Sequence, residues 1–168
     1  MINILNTCGI VFDENSHNNL HNICRTVKLT LYQKQQEQIF AEINNTTQQP
    51  KLRTYKHIKT DYRLEPYLLL NMNRKTCSKI ARFRISSHNL CIETGRHEKP
   101  KIPAEDRTCL KCNLNEVEDE IHCLVTCPSY SLFRENLNTI ARKYIGNYNT
   151  LNNMGKFKAI MTLRSLRC

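Results

Sequence analysis

Cys109 to Cys127 reads CLKCNLNEVEDEIHCLVTC and holds four of the chain's nine cysteines together with His122. A structural zinc ion takes four thiolate or imidazole ligands, so this stretch offers one more than a site needs. Cys109 and Cys112 form a C-x2-C pair, the spacing with which a tight turn aims two thiolates at one ion. The second pair must come from His122, Cys123 and Cys127. Were 115–127 one unbroken α-helix, Cys123 and Cys127 would share a face, while His122 and Cys127 would stand about 140° apart. Pro128 disfavours the α region at Cys127 and sets that residue past the last turn. His122 and Cys127 can then converge from either side of the helix end. Helix periodicity selects four cysteines, the proline readmits His122, and on these grounds the fourth ligand stays open between His122 and Cys123. Val117, Ile121, Leu124 and Val125 form the apolar side expected to pack over the C-x2-C turn.

Composition limits what such a site can serve. A chain of 168 residues is one domain, or a small domain with extensions. It has no Trp and four Gly, and 40% of its residues are apolar, which favours a mainly α, small helical domain over a turn-rich sandwich or barrel. Nine cysteines are an odd number, and the opening MINILNTCGIVFDE lacks the basic start and full apolar run of a secretory signal. Both features predict a reducing, intracellular setting in which clustered cysteines bind metal rather than pair as disulfides. No run approaches the eighteen apolar residues of a membrane span, so no membrane partner is expected.

The net charge of +10 is unevenly spread. Residues 51–103 carry thirteen Lys/Arg against four Asp/Glu, and residues 131–168 seven against one. Residues 104–130, which contain the ligand cluster, carry two against six. An acidic centre flanked by basic segments is the footprint of a polyanion partner, for which nucleic acid is the common case. The same charges could equally serve as a solvated face.

The pattern divides the chain into a helical arm with a polar linker (1–50), a basic helical segment (51–103), a zinc-binding turn-helix module (104–130) and basic C-terminal helices (131–168). Leu20, Ile23, Cys24, Val27 and Leu31, then Ile39, Phe40 and Ile43, predict one long amphipathic helix or two short ones. NNTTQQP at 44–50 reads as a loop. Leu52, Tyr55, Ile58 and Tyr62 suggest a further helix, and 64–70 a short apolar element. Between Lys75 and Ser87, Cys77, Ile80, Ala81 and Phe83 alternate with cations, giving an apolar side and a basic one. Pro100 and Pro103 bracket a connector. Leu132, Leu137, Ile140 and Tyr144 predict a helix after Pro128 that stops at Gly146, and a last helix is expected over 153–164.

Three strings carry a family resemblance: KLRTYKHIKTDYRLEPYL at 51–68, ARFRISSHNLCIETGRH at 81–97, and C-x2-C-x9-H-x4-C followed by Pro128. From Lys51 to about Tyr130, and more weakly from Gly9 onward, the chain resembles the C-terminal part of non-LTR retrotransposon reverse transcriptases, which carries a zinc-binding module. The resemblance implies a metal set of Cys109, Cys112, His122 and Cys127, with Cys123 spare. It also implies no catalysis by this chain alone, since there is no palm and no Tyr-x-Asp-Asp string. The partner would be nucleic acid, together with the remainder of a reverse transcriptase, and the site of action nuclear if a retroelement role persists. A retroviral zinc knuckle does not fit, because the nine-residue middle spacer has no Gly and contains Glu116, Glu118, Asp119 and Glu120. A zinc deaminase would need H-x-E and P-C-x-x-C, whereas His97 and Glu98 are adjacent and Thr108 precedes Cys109.

Three thiolates and a neutral imidazole around Zn²⁺ leave one negative charge, and the adjacent acids are expected to repel phosphate. The zinc module is therefore read as a clamp that orders its neighbours. Lys75, Lys79, Arg82, Arg84 and Arg96 on one side, and Arg142 and Lys143 on the other, are the expected contacts to an RNA or DNA backbone. The alternative is a zinc-stabilised structural or protein-interaction module that binds no nucleic acid. His17, His21 and Cys24 at i, i+4 and i+7 are a weak second metal pattern. His88 is expected in the core or as a cap, and Tyr55, Tyr62 and Tyr67 in the core rather than stacked on bases.

Overall fold

Helix α1, Leu20–Asn44, runs unbroken for 25 residues. It contains neither Gly nor Pro, so no breaker divides it into two. Leu29, Leu31 and Tyr32 along it are exposed. The structure is a computed structural model that describes residues 20–45, 47 and 50–162. His17 of the weak second metal pattern and residues 163–164 of the expected last helix lie outside the described residues. Two compact units divide the chain, 1–48 and 49–168, and α1 belongs to the first.

The second unit is a set of short helices. After a 3-10 turn at Pro50–Leu52 come α2 (Tyr55–Ile58) and a 3-10 turn at Pro66–Leu69. The helix expected from Leu52 to Tyr62 is thus a single turn. Helix α3 (Arg74–Arg84) starts at Asn73, whose side chain accepts the Thr76 backbone N–H at 2.8 Å. It ends in paired reverse bonds, with Ser87 N–H on Arg82 O at 2.7 Å and Ser86 N–H on Phe83 O at 3.2 Å. This is a Schellman motif with Ser86 in the left-handed region, φ 53°. Helix α4 (Cys91–Thr94) follows, then the ligand segment, α5 (Ser131–Tyr144) and α6 (Asn153–Thr162). Among the described residues the only β pairing is one antiparallel bridge, Thr108 to Val117. The fold is mainly α, and no described helix is long and apolar enough to cross a membrane.

Ala141, Tyr148 and Ile160 form the buried core, with Leu124, Ile145, Leu151 and Ala159 packed against it. Phe157 is almost wholly enclosed as well. Leu124 comes from the ligand segment, so the core that holds α5 and α6 together also seats the turn that carries His122. On the other side, Arg107 ties three backbone stretches together. Its guanidinium donates to Ile92 O at 2.7 Å and to Ile102 O at 2.7 and 2.9 Å. The Ile92 N–H in turn donates to Glu118 O at 3.2 Å.

Candidate metal centre and surrounding charges

The bridge at Thr108 and Val117 decides where the first two ligands lie. Cys109 N–H donates to Glu116 O at 2.9 Å and Glu118 N–H to Arg107 O at 3.0 Å, closing a short antiparallel loop. Asn115 turns it with φ 52°, a conformation that Asn tolerates better than most residues. Cys109 and Cys112 ride on that loop. Residues 115–119 are therefore loop and bridge, not the start of a helix as the unbroken-helix geometry assumed.

The second pair comes from a π turn, His122–Thr126, with Cys127 following in extended conformation at φ −59° and ψ 119°. Its closing bond runs from Cys127 N–H to His122 O at 2.8 Å. An i to i+5 bond sets residues five apart one above the other, where an α-helix separates them widely. This widening, together with the release of Cys127 before Pro128, brings His122 and Cys127 to the same place.

One ligand atom from each of Cys109, Cys112, His122 and Cys127 lies within 4.8 Å of all the others. Cys109 Sγ stands 3.9 Å from Cys127 Sγ, and Cys112 Sγ 3.4 Å from His122 Nε2. A tetrahedron with metal–sulfur bonds of about 2.3 Å and a metal–nitrogen bond of about 2.0 Å has sulfur–sulfur edges of about 3.8 Å and sulfur–nitrogen edges of about 3.5 Å. Both edges match such a shell, and the Sγ–Sγ separation is far longer than a disulfide bond. The four residues could hold a metal ion, and Cys123 is not in the group.

Comparison with family models, with curated proteins and with solved structures finds no match to this chain.

Of the acids around the centre, Glu118 and Glu120 turn inward, while Glu116 stays exposed beside the ligands. Glu116 Oε2 lies 2.8 Å from His122 Nδ1 and also accepts the Thr126 hydroxyl at 3.1 Å. A carboxylate only accepts, so Nδ1 carries the ring proton and the Nε2 lone pair faces the sulfurs. Asp119 Oδ1 accepts the His122 backbone N–H at 2.7 Å. Glu118 is buried, accepts the Cys91 N–H at 2.9 Å and lies 3.4 Å from Lys111 Nζ. Glu120, fully enclosed, meets Arg53 Nη2 at 2.8 Å and His88 Nε2 at 2.7 Å. Burial opposes ionisation of Glu120, but the His88 bond and the Arg53 charge outweigh it and hold the carboxyl below its ordinary value. In the metal-free chain, burial pushes the Cys109 thiol up to about 11; the Lys111 backbone N–H offsets this in part, while the Cys112 and Cys127 thiols add to it. A bound cation reverses that preference and favours thiolate.

The expected nucleic-acid contacts divide into two groups. Lys75, Lys79 and Arg82 are exposed and, at i, i+4 and i+7, line one face of α3. Arg84 is a correction: it is only 4% exposed and belongs to the interior. It donates to Met161 O at 2.6 Å, pairs with Glu65 at 2.5 Å, and stacks over the Tyr55 and Tyr67 rings at 5.8 and 5.3 Å. Arg96 is half-buried and pairs with Glu93 at 3.3 Å. Arg142 is exposed but bonded to Glu135 at 2.8 Å and Asn149 at 3.2 Å, and exposed Lys143 lies over the Tyr144 ring at 5.8 Å. His88, Tyr55, Tyr62 and Tyr67, expected in the core or, for His88, as a cap, are half-buried. The sequence reading missed Glu116 as the partner of His122, and Arg53 and Arg107 as internal clamps.

Proposed function

We propose that this chain is a zinc-binding module without catalytic activity of its own, which binds RNA or DNA backbone through the cations of α3. Its origin, on this reading, is the C-terminal part of a retrotransposon reverse transcriptase. The observation that carries the zinc reading is the four-ligand group, two of whose edges match a tetrahedral shell and whose imidazole is oriented by Glu116. Three thiolates and one imidazole are a donor set that suits zinc, and four protein ligands close the shell against substrate. Zinc here would fix the loop and the π turn to each other and contribute folding energy. The exposed row of Lys75, Lys79 and Arg82 supports the nucleic-acid reading.

Native mass before and after chelation tests the metal, with loss of one zinc per chain expected; a chain that never carries zinc overturns it. Fluorescence anisotropy of labelled single strands tests the partner. Three phosphate contacts imply a slope of about −2 in log affinity against log salt, or roughly a 15-fold loss between 50 and 200 mM. An affinity flat in salt would favour the second reading, a structural or protein-interaction module. The specific observation behind that alternative is that Arg84, Arg96 and Arg142 are already engaged within the chain.

A further inference from the structure

Beside the Schellman turn at the end of α3 lies a polar cavity of about 220 Å³. Lys51, Arg82, Ser87, Asn89, Thr94 and His97 are among the residues that line it. Two other wall residues are accounted for internally. The Glu93 carboxylate pairs with Arg53 and with Arg96. Both ring nitrogens of His88 are occupied, Nε2 with Glu120 at 2.7 Å and Nδ1 with the Leu90 N–H at 3.3 Å. The cavity is therefore faced by two cations, an imidazole, hydroxyls and an amide, beside a Glu93 carboxylate that its two arginines offset.

We propose that this cleft seats one phosphate-bearing nucleotide unit, a deepening that rests on the nucleic-acid reading above. Arg82 is the anchor. Its Nε donates to Ser87 O at 3.1 Å, which holds the guanidinium across the turn and leaves its Nη edge for a ligand. A fixed planar fork suits the paired oxygens of a phosphate, and Lys51 adds a point charge beside it. Arg82 also ends the exposed row of Lys75 and Lys79, which spans about 10 Å of helix axis. A strand tracking that row would arrive at the cleft phosphate first. Ser87, Asn89 and Thr94 then supply donors and acceptors for a sugar hydroxyl or a base edge. The volume lies below the roughly 300 Å³ at which pockets for whole cofactors begin, so one phosphate with its sugar fits better than a dinucleotide.

The phosphate ester could come from a free nucleotide or from a strand, and the test separates the two. Zinc-loaded full-length protein is titrated with AMP, with inorganic phosphate and with oligouridylate, following the Ser87 and Asn89 backbone amide signals. Shifts with the oligonucleotide are expected; shifts with AMP as well mean that a free nucleotide also enters. No shift of these amides with any of the three overturns the cleft. In anisotropy at 50 mM salt, Lys51→Gln with Arg82→Gln is expected to weaken oligouridylate binding at least tenfold, with zinc content unchanged. If that pair binds as wild type while Lys75→Gln with Lys79→Gln loses affinity, the cleft is wrong and the basic-face reading stands. If wild type binds no oligonucleotide, the function itself is wrong. Displacement by polyglutamate as effective as by oligouridylate would also sink the proposal, since the site would then be a general anion site.

Discussion

His122 sits with its two ring nitrogens in different company: Nδ1 is 2.8 Å from Glu116 and Nε2 is 3.4 Å from Cys112 Sγ. A carboxylate behind a metal-binding imidazole sets its tautomer and orientation, and losing it typically costs 10–100-fold in metal affinity. Glu116→Gln should therefore weaken zinc binding by that amount in a chelator competition, while His122→Ala abolishes tight binding and Cys123→Ser leaves it unchanged. Loss of zinc in Cys123→Ser would reverse the ligand assignment. Glu65 supplies a second test at this scale. Burial opposes its ionisation, but bonds from Tyr55 and Lys59 and the charge of Arg84 prevail and hold it below the ordinary carboxyl value. A carboxyl depressed in the folded state adds stability that is complete above its unfolded value, about 4.3, and is lost as pH falls through the folded value. Melting temperatures of wild type and Glu65→Gln should differ at pH 7 and converge toward pH 3. Equal melting at both pH values would show that the pair contributes nothing.

Elements show where sequence periodicity was enough and where it was not. On α3, at about 100° per residue, Arg84 falls about 180° from Lys75 and between Cys77 and Ile80 on the apolar side. Its burial was legible in the sequence, and counting cations without placing them on the wheel hid it. Spacing and Pro128 left the fourth ligand open between His122 and Cys123, the resemblance pointed to His122, and the π turn that joins His122 to Cys127 was not legible. A π turn differs from an α turn by one inserted residue, and its cost is met in part by contacts distant in sequence, here those of Leu124 with the core, beside the local bond of Asp119 to the His122 N–H. The fate of the spacer acids was equally hidden, because their partners Arg53, His88 and Cys91 lie 27 to 67 residues away. The turn after α4 gives a sharper test of such long-range fitting. A Cβ added at Gly95 would stand 2.7 Å from Arg107 Cγ, and that side chain cannot swing aside while its guanidinium holds Ile92 O and Ile102 O. Gly95→Ala should destabilise the chain by about 1–3 kcal/mol, the range for overpacking. A chemical-denaturation midpoint equal to wild type would mean that Arg107 is not held as described.

For the molecule, the division into an acidic module and basic flanks has a different meaning from the one composition suggests. Glu120 and Glu118 of the module meet Arg53 and the Cys91 N–H of the basic segment, and Leu124 of the π turn packs on the core made by α5 and α6. Three stretches that look separable by charge thus close on the same ligand segment within the unit 49–168. Metal at that segment should act on the whole unit rather than on a local loop. An ion that binds only the folded state stabilises it by about 4 kcal/mol at a free concentration 1,000 times its Kd. For a unit of this size, at about 4 °C per kcal/mol, that is a rise in Tm of about 15 °C. Hydrogen exchange locates the effect: removing zinc should lower protection at Ala141, Phe157 and Ile160 as well as at Cys109 and Cys127. If chelation deprotects the ligand segment alone and leaves the α5 and α6 amides as slow as before, the Leu124 contact does not couple the centre to the core. The basic face would then keep its shape without metal, and nucleic-acid affinity should survive chelation. If protection falls throughout, affinity should fall with it, because the row on α3 is held in place by Arg84, whose bond to Met161 O reaches into the same core helix.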